Sequence, residues 1–174
     1  SVLEGLADIN LRQKYRFTTA ANQAVLFKAE MQYRLGQYKE SADTYRQLIN
    51  GRPAKILLPF AETGYANALE SAGDFAQAVI AYERFVKTYP DSFLTPANYF
   101  SLARCYLSLA RKDEAIRTYE KIVTLYPSSQ WQASAEPVLQ ALRGQTPPAP
   151  ATPPATPGTF NPAAANNPAV NNAK

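Results

Sequence analysis

Shifted against itself by 37 residues, this sequence meets its own prolines: Pro53, Pro90 and Pro127 fall on one position, and Pro59 and Pro96 on another. The small and aromatic residues between them coincide as well. Ala29, Ala66 and Ala103 share a place, as do Ser41, Ala78 and Ala115, and Tyr45, Tyr82 and Tyr119. Such a period marks a repeat architecture, in which each unit is one supersecondary piece that buries its apolar face against its neighbours.

Each unit carries two amphipathic helical stripes joined by a short turn. In the middle unit Ala66, Leu69 and Ala72 make the first stripe. Gly73-Asp74 interrupts it, and Phe75, Ala78, Val79, Tyr82, Phe85, Val86 and Tyr89 form the second. Glycine at such a turn supplies the positive φ that ends a helix, and Asp74 is placed to cap the next one. The first unit has Gly36-Gln37 there and the third Ala110-Arg111. A side chain at positive φ costs about 1 kcal/mol, which a packed array tolerates. A proline at 53, 90 or 127 then closes the second helix, because it cannot continue the hydrogen-bond ladder. Pro59 and Pro96 suit the first turn of the following helix, where the missing N–H is no loss. Between them lies the linker: Asp91 and Ser92 turn the chain, Phe93 and Leu94 fold back as an apolar plug, and Thr95-Pro96 starts the next unit. Trp131 lies 37 residues beyond Leu94, which lies 37 beyond Leu57, so it is expected to plug the last linker.

The repeat core is predicted over 17–144, with units at about 22–58, 59–95 and 96–129 and a closing helix over 130–143. That helix carries Ala133, Val138, Leu139 and Leu142 and is expected to cover the last unit, whose end face would otherwise be apolar. Residues 1–16 show a weaker helical pattern through Leu3, Leu6 and Leu11, suited to an N-terminal helix or cap. From residue 145 to residue 174 the composition collapses to Pro, Ala, Thr and Asn, with eight of the chain's 14 prolines. Such a segment buries too little apolar surface to offset its ordering entropy and is expected to be a disordered tail.

Composition removes most chemistry. The 174 residues contain no histidine, which takes away the commonest general base and the usual zinc ligand, and with them Ser-His-Asp and Cys-His hydrolases. One cysteine, Cys105, makes neither an internal disulfide nor a metal site; on a packed helix it is expected to be a buried small hydrophobe. Glu62 and Glu70, eight residues apart on one helix, and Asp113 and Glu114 in a helix's first turn do not form an acid/base pair across a cleft. Neither an enzyme nor a cofactor or metal site is expected. With 18 basic and 14 acidic groups and no like-charge block, the chain lacks the clustered cations of a nucleic-acid binder. The periodic tyrosines are expected in the core. No run of 18 apolar residues is present, and the first residue is Ser1; a cleaved signal peptide or a membrane anchor ahead of Ser1 is compatible with both.

The order Ala66, Gly73, Phe75, Ala78, Tyr82, Pro90 resembles the tetratricopeptide repeat. So do Ala29, Gly36, Tyr38, Ser41, Tyr45, Pro53 in the first unit and Leu102, Ala103, Tyr106, Ala115, Tyr119, Pro127 in the third. The departures are a 37-residue period in place of 34, Ser41 for alanine and Ala110 for glycine. The resemblance implies an all-α fold: a right-handed α-solenoid of three helix hairpins with a capping helix, whose first helices line a concave groove. Carried over position by position, the groove-facing residues are Leu26, Glu30 and Tyr33, then Thr63, Asn67 and Glu70, then Phe100, Arg104 and Leu107. The set combines apolar anchors with hydrogen-bonding groups and implies a protein or peptide partner. Family members that hold an acidic C-terminal peptide do so with Lys, Asn, Asn, Lys and Arg at set positions. The matching residues here are Leu26, Glu30, Gly64, Ala97 and Ser101, so that mode is not expected.

Tyr-Pro-Asp-Ser, the 37-residue spacing, the closing helix and the Pro/Ala tail also resemble bacterial cell-envelope repeat proteins. These include the Tol-Pal-associated coordinator of wall synthesis, the BamD-like assembly lipoproteins and the YfgM-like ancillary subunit of the Sec translocon. The stretch from Leu102 to Tyr106 and the Arg111-Lys112-Asp113-Glu114-Ala115 run are most similar to the last. The resemblance implies a non-enzymatic periplasmic or otherwise extracytoplasmic scaffold, membrane-tethered if an anchor precedes Ser1. Two rival expectations stand beside it: an oligomerisation module that pairs with a second copy through Leu3 to Leu11, and a glycan or peptidoglycan binder that uses its aromatics and mild basicity.

Overall fold

The computed structural model describes residues 19–144, and among these the chain forms seven α-helices and no strand. We number them α1 (Thr19–Arg34), α2 (Tyr38–Asn50), α3 (Leu58–Ser71), α4 (Phe75–Thr88), α5 (Thr95–Ser108), α6 (Lys112–Leu125) and α7 (Gln130–Leu142). Each helix packs on the next, so that α1–α2, α3–α4 and α5–α6 are hairpins and α7 closes the last. The first helices also touch in series, α1 to α3, α3 to α5 and α5 to α7, whereas the second helices α2, α4 and α6 have no comparable mutual contact. A stack held closer along its first helices bends towards them, and their face becomes the inner one.

One turn is made three times. Gly36, Gly73 and Ala110 take φ of +76°, +81° and +58°. In each, the residue after the turn donates its N–H five residues back: Gln37 to Gln32 O (2.9 Å), Asp74 to Leu69 O (3.0 Å) and Arg111 to Tyr106 O (2.8 Å). This is the glycine-type helix stop that satisfies the last carbonyls. Ala110 adopts it without glycine's freedom. Asp74 caps α4 by accepting from Gln77 N at 3.2 Å, while Gln37 and Arg111 at the matching places offer no side-chain cap.

The prolines stand where the helices need them. Pro90 and Pro127 follow Tyr89 and Tyr126, which leave α4 and α6 with the same backbone (φ −126° in both). Pro53 ends α2 one residue later, after Gly51 and an Arg52 at φ +53°. Pro59 and Pro96 sit in the first turns of α3 and α5. The linker between the prolines departs from expectation in one residue. Leu94 is buried as the plug, as is Leu57 in the first linker, but Phe93 is 59% exposed and lies against the ring of Phe60 at 6.0 Å. Consecutive residues of a short turn point to opposite sides, so only one of the two reaches the core. Trp131 is half-buried on Phe100 at a centroid distance of 6.3 Å.

Tyr45, Tyr82 and Tyr119 are the interior posts of the three hairpins, at 6%, 0% and 1% exposure. Alanines surround them: Ala29, Ala66 and Ala103 have no exposed surface and let the paired helices approach closely. Ser41, the departure from alanine, is also buried, and its hydroxyl donates to Ala29 O at 2.8 Å, so the added oxygen is paired. Gly64 is required by its neighbour. A Cβ there would lie 2.6 Å from Tyr45 Cε1 and 2.7 Å from Oη.

Candidate partner-binding face

Residues on successive first helices meet at the junction of the second and third hairpins. The Tyr82 hydroxyl, rising from α4, reaches Asn67 Oδ1 at 2.6 Å and Glu70 Oε2 at 2.7 Å on α3. Glu70 Oε1 in turn accepts from Arg104 Nε (3.1 Å) and Nη2 (2.7 Å) on α5, and Arg104 Nη2 also lies 3.2 Å from Ser101 Oγ. Five side chains from three helices thus form one network, which fixes the rotamers of Asn67, Glu70 and Arg104. Burial works against the Arg104 charge, and the Glu70 carboxylate more than offsets this, so its pKa lies above the ordinary value. Burial, reinforced by the Glu70 carboxylate, pushes the Tyr82 hydroxyl well above its usual range; it stays neutral and donates.

Of the nine residues expected on this face, Asn67, Glu70 and Arg104 are brought together by that network. Tyr33 joins the first hairpin to the second, its hydroxyl 2.8 Å from Ser71 Oγ and its ring edge-on to Tyr38 at 5.2 Å. Glu30 turns along its own helix to Arg34 at 2.5 Å. Leu26 and Leu107 are half-buried against the core. The other two point inwards. Thr63 is 7% exposed and bound to Asn98, which donates to it at 3.0 Å. Phe100, at 2%, stacks edge-on against Tyr119 at 5.3 Å inside the second core cluster. Both still stabilise the face from beneath, but neither presents a side chain to a partner.

Ser71 was not singled out from the sequence, Tyr82 was expected only in the core, and Ser101 was named only as a non-matching clamp position. The signal for Tyr82 was its repeat position, which buries the whole side chain and brings its hydroxyl to Asn67 and Glu70. Glu62 was grouped with Glu70 by spacing, yet the two part company. Glu62 is buried at the back of α3, 3.4 Å from Arg84 and 3.4 Å from the Tyr89 hydroxyl. Cys105 is fully buried, and its thiol is pushed up to about 12, chiefly by burial and then by the Glu70 charge, so the reactive thiolate does not form at neutral pH. Among the described residues no three His, Cys, Asp or Glu side chains converge on a metal position, and no helix is long and apolar enough to cross a membrane.

Stacked two-helix units with an inner face of fixed polar side chains define an α-solenoid repeat module. Two sequence profiles, both described as tetratricopeptide repeat, match residues 26–53 and 64–130, together more than half of the chain. The chain is a tetratricopeptide repeat protein. Among solved structures it is similar to the first tetratricopeptide domain of human RPAP3, at a TM-score of 0.57 and 19% identity, over 71% of this chain and 91% of that one. It is also similar to the first such domain of Spaghetti (RPAP3), solved bound to the HSP90 peptide SRMEEVD. There the TM-score is 0.58 and the identity 20%, over 74% of this chain and 94% of that one. At these identities the likeness is one of fold. No curated protein matches the sequence.

Proposed function

We propose that this chain is a non-enzymatic scaffold that holds a segment of a partner protein along the face of α1, α3 and α5. The observation that carries the proposal is the locked trio Asn67, Glu70 and Arg104. The single Tyr82 hydroxyl proton goes to the Glu70 carboxylate, and the Asn67 amide, 2.6 Å from the same hydroxyl, is held in a pre-set rotamer beside it. Such an amide is suited to hydrogen-bond the backbone of an extended segment, and pre-organisation lowers the entropy lost on binding.

The charge of the face narrows the segment. Glu70 is matched by Arg104 and Glu30 by Arg34, so the floor is near neutral. The Spaghetti domain binds an acidic HSP90 peptide, but here the positions of the carboxylate clamp hold Leu26, Glu30, Gly64, Ala97 and Ser101, none of them cationic. The proposed occupant is therefore a polypeptide segment of low net charge with apolar anchors for Leu26, Leu107 and the exposed Phe60. The resemblance to cell-envelope repeat proteins supports a setting in envelope biogenesis or protein export, outside the cytoplasm.

The test is partner capture by the chain carrying Tyr33→Ala, Asn67→Ala and Arg104→Lys together, with helicity checked by circular dichroism. Capture should fall at least about tenfold, the loss of one well-made polar contact, with helicity retained. Capture unchanged in a folded variant would remove the face from the function.

A further inference from the structure

The repeat itself shows that α1 lacks a neighbour. On α3 the positions Ala61 and Ala68, and on α5 the equivalent Asn98 and Cys105, are covered by the preceding hairpin; all four are at most 1% exposed. The equivalent residues of α1 are Ala24 and Met31, and both are exposed. Leu35, one turn on, is 69% exposed, while its counterparts Ala72 and Leu109 are half-buried. Phe27, at 62%, stands where Gly64 and Ser101 stand in the later units. Thus α1 presents Ala24, Phe27, Met31 and Leu35 as an apolar strip, on the side where each later first helix is covered by the preceding hairpin.

We infer that residues 2–9 of this same chain cover that strip as the missing second helix. The second helices bury a fixed set: Ser41, Ala42, Thr44, Tyr45 and Leu48 in α2, and Ala78, Val79, Ala81, Tyr82 and Phe85 in α4. The spacing i, i+1, i+3, i+4, i+7 recurs ahead of α1 as Val2, Leu3, Gly5, Leu6 and Ile9, apolar or small at all five places. Glu4 and Asp8 fall between, on the other side of the same helical wheel. In this register Leu6 takes the tyrosine's place and faces Phe27. Where α2 sets a tyrosine against Gly64, the first segment sets a leucine against Phe27, a contact between two apolar side chains. Phe27 lies 21 residues after Leu6, against 19 from Tyr45 to Gly64, so the connection is two residues longer and the chain reaches without strain. Residues 1–18 lie outside the described residues. Covering the strip in this way closes an end that would otherwise join copies head to tail, and leaves the face of α1, α3 and α5 for a partner.

The experiment uses the whole chain carrying Leu6→Cys with Phe27→Cys, treated with dibromobimane, a short reagent that fluoresces when both arms are taken by thiols. Buried Cys105 does not compete. The inference expects bridging within one chain, independent of protein concentration, and none from Glu4→Cys with Phe27→Cys. Bridging between chains would assign the strip to a second copy, and absence of bridging in the Leu6 pair would show that the segment lies elsewhere; either overturns the inference. In parallel, Leu3→Asp with Leu6→Asp should speed amide exchange in α1 by about tenfold or more while α5 and α6 keep their protection. Unaltered exchange in α1 also overturns it.

Discussion

Arg104 on α5 and Glu70 on α3 lie 2.7 Å apart, one pair spanning the boundary between the second and third hairpins. Their side chains are 37% and 16% exposed, between the surface and the interior. Arg104→Met should therefore lower unfolding stability by about 1–2 kcal/mol, more than a surface pair and less than a fully buried one. The cost should grow if Tyr82 loses its hydroxyl as well, because Glu70 is then left with neither donor. A urea melt of the single and double variants measures this. Strictly additive costs would mean that the network does not act as a unit.

Tyr45 and Gly64 exclude any side chain between them. Gly64→Ala should cost about 1–3 kcal/mol, the usual range for overpacking a well-filled site. Combining it with Tyr45→Leu should restore part of the loss that the two changes cause separately. A Gly64→Ala protein as stable as the parent would show that the ring moves aside freely.

Ala110 makes a glycine's turn. Ala110→Gly should raise stability by about 1 kcal/mol, since it relieves a left-handed alanine in the third hairpin. Gly73→Ala should lower it by a similar amount in the second. Thermal midpoints of the two variants should move in opposite directions, and a fall for Ala110→Gly contradicts the strain assigned to it.

Alkali should unfold the array through its interior tyrosines. Burial holds the Tyr45 and Tyr119 hydroxyls at about 12, and Tyr82 well above its ordinary value. Below pH 10, near the value in an unfolded chain, these groups are neutral in both states and their full contribution is present. From about pH 10 the unfolded chain sheds protons that the folded one keeps, and stability falls until pH reaches the folded value near 12. For Tyr45 or Tyr119 the loss over that window is up to about 2–3 kcal/mol. Tyrosinate absorbance should rise steeply together with loss of helical circular dichroism between pH 10 and 12. A gradual rise centred near 10 with helicity intact would contradict their burial.

The 37-residue interval made the hairpins legible in the sequence, because proline and positive-φ positions state backbone requirements that no tertiary contact overrides. The buried tyrosines, the paired prolines and buried Cys105 followed from it directly. Phe93 did not, since periodicity locates a linker but does not say which of two adjacent residues in a turn faces inwards. Nor did the inward turn of Thr63 and Phe100. A groove position fixes where a residue sits on its helix, whereas its exposure depends on how closely α3, α5 and α7 approach. The meeting of Tyr82 with Asn67, Glu70 and Arg104 joins residues up to 37 positions apart in three helices, a coincidence visible only once the stack is assembled.

The most direct test of a partner held along the first helices is photo-cross-linking from single positions in the living cell. A benzophenone amino acid at Asn67 or Tyr33 should yield an adduct with a partner protein, while the same group at Ile80 or Lys121, on the exposed surface of α4 and α6, should yield none. Adducts from Ile80 and Lys121 in the absence of any from Asn67 and Tyr33 would place recognition on the opposite side of the array and contradict the account.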